Sequence, residues 1–334
     1  MSMISQMSRS KWELVSTTPR FHDVRAMWFS SEHLAGVLCC ACRPLGAMLR
    51  QGGEDASEMI ILTSKGDFTT WTTVHREAGR VDDISHAGGV LHVIGARQRG
   101  DGQMQQLLLR SVDAGASWTT IPLGGPAQRQ GLAFVSPRSG YVWSATDLRM
   151  TRDGGQTWST SILSTPKNSS LARPSLGADG TLWLATEDHL YYVREDRAFD
   201  GGALPAGLEL CFLQPTNAGG VLLLGRAGDP GASGLPVELH ERTGSGSLRL
   251  CREFPPFLPD YFHASGRFLL ITGTTTHETS MRPLLFFSHD AGDTWFEEND
   301  DALPVVKGAH FEDGANRLWI RASFDRILRR NFGR

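Results

Sequence analysis

The chain has 334 residues with 33 Lys and Arg against 36 Asp and Glu, a formal net charge of -3, and five cysteines. That near balance speaks against a general polyanion binder, which carries a basic excess or stripe, so no nucleic-acid partner is expected. No apolar run reaches the roughly 18 residues of a membrane span, and the opening MSMISQMSRSKWELV lacks the apolar core of a secretory signal, so the expectation is a cytoplasmic protein with no membrane partner.

In chain order, short segments of alternating apolar and polar residues are punctuated by Gly, Ser and Asp, as in strands joined by tight turns. They fall into groups of four at about 40 to 50 residues per group, the period of a propeller blade. The groups span approximately 22-74, 80-122, 129-163, 170-205, 207-255, 260-299 and 305-334. Gly88-Gly89, Ser139-Gly140 and Asp179-Gly180 fall where a first strand turns into a second. The last group is one strand short, and the Trp-led stretch at 11-16 supplies an unpartnered strand at the other end. The predicted fold is therefore all-β, a single seven-bladed β-propeller domain over 1-334, closed by an N-terminal strand joining the last blade. The fold is expected to be monomeric. Cys39, Cys40 and Cys42 read as small buried residues of a strand with reduced thiols, since alternate faces of a strand and the lack of a second pair nearby do not build a metal site.

One eight-residue figure recurs. It stands at Ser111 to Trp118 (SVDAGASW), Thr151 to Trp158 (TRDGGQTW) and Ser288 to Trp295 (SHDAGDTW), with a worn copy at Ser64 to Trp71 (SKGDFTTW). In the three full copies an Asp at the third place (Asp113, Asp153, Asp290) can accept from backbone amides beyond it, and a Gly at the fifth (Gly115, Gly155, Gly292) can take positive φ. The closing Trp (Trp118, Trp158, Trp295) is expected to fold back as the apolar plug of a strand-turn-strand unit. One carboxylate per turn is too few for calcium, so no metal and no cofactor are expected.

The figure resembles the Asp-box, or BNR repeat, S-x-D-x-G-x-T-W, of sialidases, sortilin-type receptors, photosystem assembly factors and many bacterial propellers. The resemblance implies a sialidase-like β-propeller with the boxes on the face away from the binding site. It also raises a glycoside hydrolase as the alternative function. In sialidases a second strand ends in Ala-Glu-x-Arg; here Cys40-Ala41-Cys42-Arg43 stands in that place, keeping Arg43 and lacking the Glu. The loop after it offers Asp55 as an acid and Glu58 as another, and Tyr261 is the Tyr placed on the face where the family's nucleophile lies. The Arg-Ile-Pro signature is absent, with His22-Asp23-Val24 near its place, so the expectation is a degenerate propeller without the full catalytic set, and not an enzyme.

The preferred reading is a non-catalytic recognition module with a protein partner, an immunity or inhibitor-like protein being one form of it. Loops carried by a rigid scaffold are where binding resides, and the connections between second and third strands have grown at Arg43 to Ser57, Arg97 to Gln106, Arg226 to Leu235 and Thr274 to Arg282. Arg97, Arg226, Arg282 and His277 are the candidate contacts on that side. Asp147 and Glu187, on short acidic connections, form the predicted negative rim. Pro255 to Pro259 reads as a rigid linker between groups.

Overall fold

The computed structural model describes residues 13–17, 22–30, 35–42, 58–65, 70–124, 131–145, 147–159, 163–164, 172–195, 197–229, 234–275, 282–298, 306–312, 317–322 and 326–331. Among them every regular element is a β-strand, and no helix is long and apolar enough to cross a membrane. The chain divides into two compact units, one of Trp12–Ser164 with Gly314–Arg334, the other of Met1–Lys11 with Thr165–Asp313.

In the first unit, β1 is Glu13–Thr17, β2 His22–Ser30, β3 Ala35–Cys42, β4 Glu58–Lys65, β5 Thr72–Ala87, β6 Val90–Gln98, β7 Met104–Ser111 and β8 Thr119–Pro122. Strands β2 to β8 form one seven-stranded antiparallel sheet in chain order. A break was expected between the groups ending at residue 74 and starting at 80, but β5 runs through it for 16 residues. Its first half pairs with β4 as far as Ala78, and from Gly79 it pairs with β6. The change of partner sits at a glycine with φ +153°, where a Cβ would lie 2.1 Å from the carbonyl oxygen of Ala96. Continuous β-forming sequence and one small residue at the crossing let a single strand pair with β4 along its first half and with β6 along its second.

Strands β9 (Gly131–Phe134), β10 (Gly140–Trp143), β11 (Asp147–Thr151) and β12 (Leu163–Ser164) make a separate four-stranded sheet. Of the strands near the C-terminus, β26 (Arg317–Ala322) and β27 (Arg326–Asn331) pair with each other. Strand β1 pairs antiparallel with β27 from Glu13↔Arg329 to Thr17↔Arg326. Trp12 lies outside the described residues.

The second unit holds three four-stranded meanders in chain order. They are β13 (Ala172–Leu176) to β16 (Arg197–Ala203) through β14 (Leu182–Ala185) and β15 (His189–Arg194); β17 (Leu208–Pro215) to β20 (Leu248–Phe254) through β18 (Val221–Ala227) and β19 (Val237–Arg242); and β21 (Phe257–Ser265) to β24 (Phe296–Glu298) through β22 (Phe268–Thr275) and β23 (Pro283–Ser288). Strand β25 is Val306–Glu312. Phe257, Leu258 and Pro259 pair with Thr275, Thr274 and Gly273, so the predicted proline linker is partly strand. Pro259 is tolerated because β21 is the first strand of its sheet and has an open side.

Alternation along the central strands puts apolar side chains on both faces, and the cores form where one sheet meets the next. Leu107 and Leu109 of β7 pack with Trp28, Val37, Cys39 and Ile61 from the strands before them. Leu108, on the opposite face, packs with Leu132, Phe134 and Val142 of the following sheet. Cys39 and Cys40 are buried, reduced strand residues; Cys42 has no described side-chain environment.

The three eight-residue figures share one hydrogen-bond pattern. Ser111 Oγ donates to Asp113 Oδ1 at 2.8 Å and accepts the Gly115 N–H at 2.8 Å. Asp113 Oδ1 accepts from Ser117 N at 2.9 Å, and Trp118 Nε1 donates to the Gly115 carbonyl at 3.0 Å. Thr151 to Trp158 and Ser288 to Trp295 repeat each of these bonds. The fourth place also takes positive φ, in Ala114, Gly154 and Ala291. In the worn copy Gly66 replaces the Asp, and Ser64 Oγ is buried with no hydrogen-bond partner among the described residues. Hydrogen bonds from Ser117 side chain and backbone hold the Asp113 carboxyl down to about 2, and Thr157 does the same for Asp153.

Two of these turns also pack tightly on side chains of strands distant in sequence. A Cβ on Gly115 would stand 2.6 Å from Val37 Cγ2, and one on Gly155 would stand 2.2 Å from Leu108 Cδ2. Gly is needed there for close approach as well as for φ.

Candidate functional site

The first strands of four sheet segments carry a β-bulge at one shared position. Pairing skips Arg25 in β2, Asp82 in β5, Cys211 in β17 and Asp260 in β21. Arg25 lies five positions before Ser30, Asp82 five before Ala87, Cys211 five before Thr216 and Asp260 five before Ser265, each of the latter being the last residue bonded before the hairpin turn. A bulge kinks its strand and re-aims a side chain, which is why bulges gather beside binding sites. The four positions match in register and differ in chemistry, with a cation, two carboxylates and a thiol.

In the first unit, Arg80 Nε meets Asp82 Oδ1 at 3.0 Å, while Asp82 Oδ2 is buried with no hydrogen-bond partner among the described residues. Burial pushes the Asp82 carboxyl up against the pull of the Arg80 and Arg25 charges. Its neighbour Asp83 is half-buried with both carboxyl oxygens bonded: Oδ1 accepts from Ile84 N at 2.8 Å and Oδ2 from Leu132 N at 3.3 Å. Burial raises Asp83 to about 7, more than those two donors lower it. Arg97 was expected on a loop but stands in β6 opposite Gly79, and its Nε and Nη2 both donate to Gln105 Oε1 at 3.0 and 2.8 Å. The loop itself shrinks to a turn, closed by Arg99 N donating to Gln103 O at 2.8 Å. Asp147 accepts from Arg149 at 2.9 Å, so the predicted negative rim is partly neutralised there.

In the second unit, Arg226 is likewise in a strand, opposite Glu209, and its guanidinium pairs with the Glu209 carboxylate. Cys211 is half-buried two residues on. Thr274 Oγ1 donates to Asp260 Oδ2 at 2.9 Å. Tyr261 is half-buried, its ring 6.4 Å from that of His263 on the same strand. Glu187 is exposed at the turn between β14 and β15, and Arg282 is exposed with its backbone N–H donating to Thr275 Oγ1 at 3.0 Å. His277, Arg43 and Asp55 lie outside the described residues. Of the hydrolase set Tyr261 and Glu58 are therefore described, and Glu58, expected on a loop, opens strand β4 opposite Ala78 with Arg76 at 3.8 Å.

Among the described residues no three His, Cys, Asp or Glu side chains gather as metal ligands. The residues sequence reasoning missed are the bulged ones, Arg25, Asp82, Cys211 and Asp260. Their signal is the constant five-residue offset from the hairpin, legible only once strand ends are known.

The same architecture recurs among solved proteins. A structure of YCF48 bound to D1 peptide superposes with TM-score 0.70 at 14% identity, covering 99% of this chain and 98% of that one. The fold is a β-propeller. A xyloglucanase of the GH74 type from Xanthomonas campestris matches with TM-score 0.67 at 15% identity over 97% of this chain, which spans 54% of that one. The virginiamycin B lyase of Staphylococcus aureus matches with TM-score 0.62 at 12% identity over 97% of this chain and all of that one. No family model and no curated protein matches the sequence. Identities this low carry the fold and nothing of the chemistry.

Proposed function

We propose that this chain is a non-catalytic recognition propeller that binds a protein partner through the ends of its sheets where second strands pass to third. The observation that carries this reading is the set of register-equivalent bulges. One position of the scaffold is held constant in backbone and varied in side chain, which is how a repeat fold presents a specific surface without altering its frame. Arg97 and Arg226 stand at that same end of their strands, braced by Gln105 and Glu209. Braced arginines lose less freedom on meeting a carboxylate. A partner protein carrying acidic side chains fits this arrangement, and YCF48, the similar fold that holds a peptide, lends it a precedent.

We further read the recurrent turns as Asp-boxes and the architecture as seven blades. In that reading β5 supplies the outermost strand of one blade and the innermost of the next. Strand β1 would complete the last blade with β25, β26 and β27 and so close the ring. Membership of the sialidase-like superfamily belongs to the same proposal.

The test is affinity capture from the source cell with wild type and with Arg97, Arg226 and Arg282 changed together to Glu. A defined protein retained by wild type and lost by the variant is the expected result. Equal retention by both would remove this face from consideration. Release of a fluorogenic aryl sialoside by purified protein would replace the reading with the hydrolase.

A further inference from the structure

We propose that the seam between the outer strands β16 and β20 docks an extended segment of a partner protein that carries apolar side chains followed by a carboxylate. Both strands belong to the second unit, and the site is distinct from the strand ends invoked above.

The two sheets pack face to face through Trp183, Leu190 and Leu204 on one side and Leu213, Val221 and Leu223 on the other. The register extends this face outward. Trp183 pairs with Tyr192 and Tyr192 with Phe199, and the rings step along the face at centroid separations of 5.3 and 5.1 Å. In the facing sheet, Val221 pairs with Arg242 and Arg242 with Leu248, while Leu223 pairs with His240 and His240 with Leu250. Directly paired residues share a face. Leu248 and Leu250 therefore belong to the side that meets Trp183, as Phe199 does. They stop short of closing over one another: Phe199 is 40%, Leu248 38% and Leu250 52% exposed. Three of the seven large exposed apolar side chains found among the described residues lie on this one seam, a concentration that marks an interaction surface.

Charge selects the occupant. The Arg242 guanidinium lies over Gly202 of β16, where a Cβ would stand 2.6 Å from Nη2. Neither Arg242 nor the exposed Arg197 has an ion-pair or hydrogen-bond partner among the described residues, whereas Arg194, which pairs with Arg197 across the ladder, is bound to Asp179. Of the acidic groups carried by the facing sheet, Glu238 is already bonded to His240 at 2.7 Å and exposed Glu253 lies opposite it, four ladder positions along the strand from Arg242. A carboxylate beside Gly202 meets the open Arg242 guanidinium, and apolar side chains before it cover Leu248, Leu250 and Phe199. A second copy of the chain fits poorly, because pairing along β20 is interrupted by a bulge at Cys251, the device that blunts sheet edges.

The probe is the fluorescein-labelled peptide Leu-Ser-Phe-Ser-Leu-Glu-Glu, titrated with purified full chain and followed by anisotropy. Expected are saturable binding, about ten-fold weaker binding of the same peptide with Lys for Glu, and about ten-fold loss in Arg242→Gln and in Leu250→Ser. Arg97→Glu should leave the affinity unchanged, so this site and the proposed face fail separately. Because Leu250 is exposed, its substitution leaves the fold intact, which an unchanged melting curve verifies. No saturable signal with wild type up to about 1 mM protein, a range that still detects the weakest specific contacts, would overturn the proposal. Equal binding of the Lys peptide or of Leu250→Ser would overturn it as well. So would concentration-dependent dimerisation that Leu250→Ser abolishes, which would assign the seam to a second copy.

Discussion

The carboxylate of Asp83 accepts the backbone N–H of Leu132 at 3.3 Å, and two residues on Ser85 Oγ accepts that of Phe134 at 2.9 Å. Two short side chains of β5 thus satisfy the donors that the first strand of the next sheet leaves open. One of these staples titrates. Asp83 is raised from 3.8 to about 7 by burial, so the fold favours its neutral form, and that contribution is present at low pH and lost as pH rises from about 4 through 7. His92 acts in the opposite sense. It is buried against Phe134 with ring centroids 3.5 Å apart, and neither ring nitrogen has a hydrogen-bond partner among the described residues. Burial, then the Arg110 and His86 charges, lower it from 6.5 to about 3, so its contribution is present above 6.5 and lost as pH falls.

Between pH 4 and 6.5 the two therefore oppose each other, with Asp82, also raised by burial, on the side of Asp83. Melting temperature should change little there in wild type. In Asp83→Asn it should fall on acidification, and in His92→Phe it should fall on raising the pH toward 7. Parallel pH profiles for all three proteins would contradict the assignment.

The recurrent turns give a second prediction. Thr151→Ala removes the acceptor of the buried Gly155 N–H and the donor to Asp153, a loss of about 1–3 kcal/mol. Gly155→Ala adds a methyl 2.2 Å from Leu108 Cδ2 at φ +93°, and should cost roughly 1–3 kcal/mol from overpacking alone. Gly292→Ala, whose nearest neighbour is Leu269 Cδ1 at 3.2 Å, should cost less at a similar φ. Urea melts of the three variants measure the order.

These turns were the most legible part of the chain because their chemistry is local: Ser, Asp, Gly and Trp within eight residues name every partner except the strands they pack on. The position of Ala114 and Ala291 in the left-handed region was not legible, since alanine gives no sign of it. Arg97 and Arg226 were assigned to loops but stand in strands, because a polar strand end and a loop look alike until the opposing strand is known. The bulges at Arg25, Asp82, Cys211 and Asp260 depend wholly on register against a second strand, so no single-strand pattern marks them. The β5 crossing escaped for a related reason: Gly79 reads as a turn residue, and its role in close approach appears only beside Ala96.

Thiol chemistry offers a third prediction. Cys39 and Cys40 are fully buried, and burial holds the Cys39 thiol well above its ordinary range, with Cys40 and Asp83 adding to the rise. Cys211 and Cys251 are only partly covered. Alkylation of the native protein should label Cys211 and Cys251 and leave Cys39 and Cys40 unmodified until urea is added. Because burial also raises Cys251, its labelling should accelerate with pH. Modification of Cys39 in the native protein at a comparable rate would show that the sheet core opens.

The ends of the chain supply the last prediction. Strand β1 contributes four ladder positions to β27, and the Glu13 carboxylate accepts from Arg329 Nη2 at 2.7 Å. Arg329 also lies 5.5 Å above the Trp319 ring, and Trp319 stacks on Phe29 at 4.7 Å with planes 8° apart. Phe29 and Trp319 share one buried cluster with Val24, Leu38, Ile60 and Ile327. Removing residues 1–17 would therefore expose the edge of β27 and release Arg329 from its carboxylate, next to a core drawn from both ends of the sequence. Exposed ion pairs contribute little by themselves, so Glu13→Gln should shift the melting temperature only slightly. The truncation should lower it sharply and steepen aggregation on heating, because an unpaired hydrophobic strand edge templates association. Equal melting temperatures for the truncated and full-length chains would show that the β1–β27 ladder is dispensable.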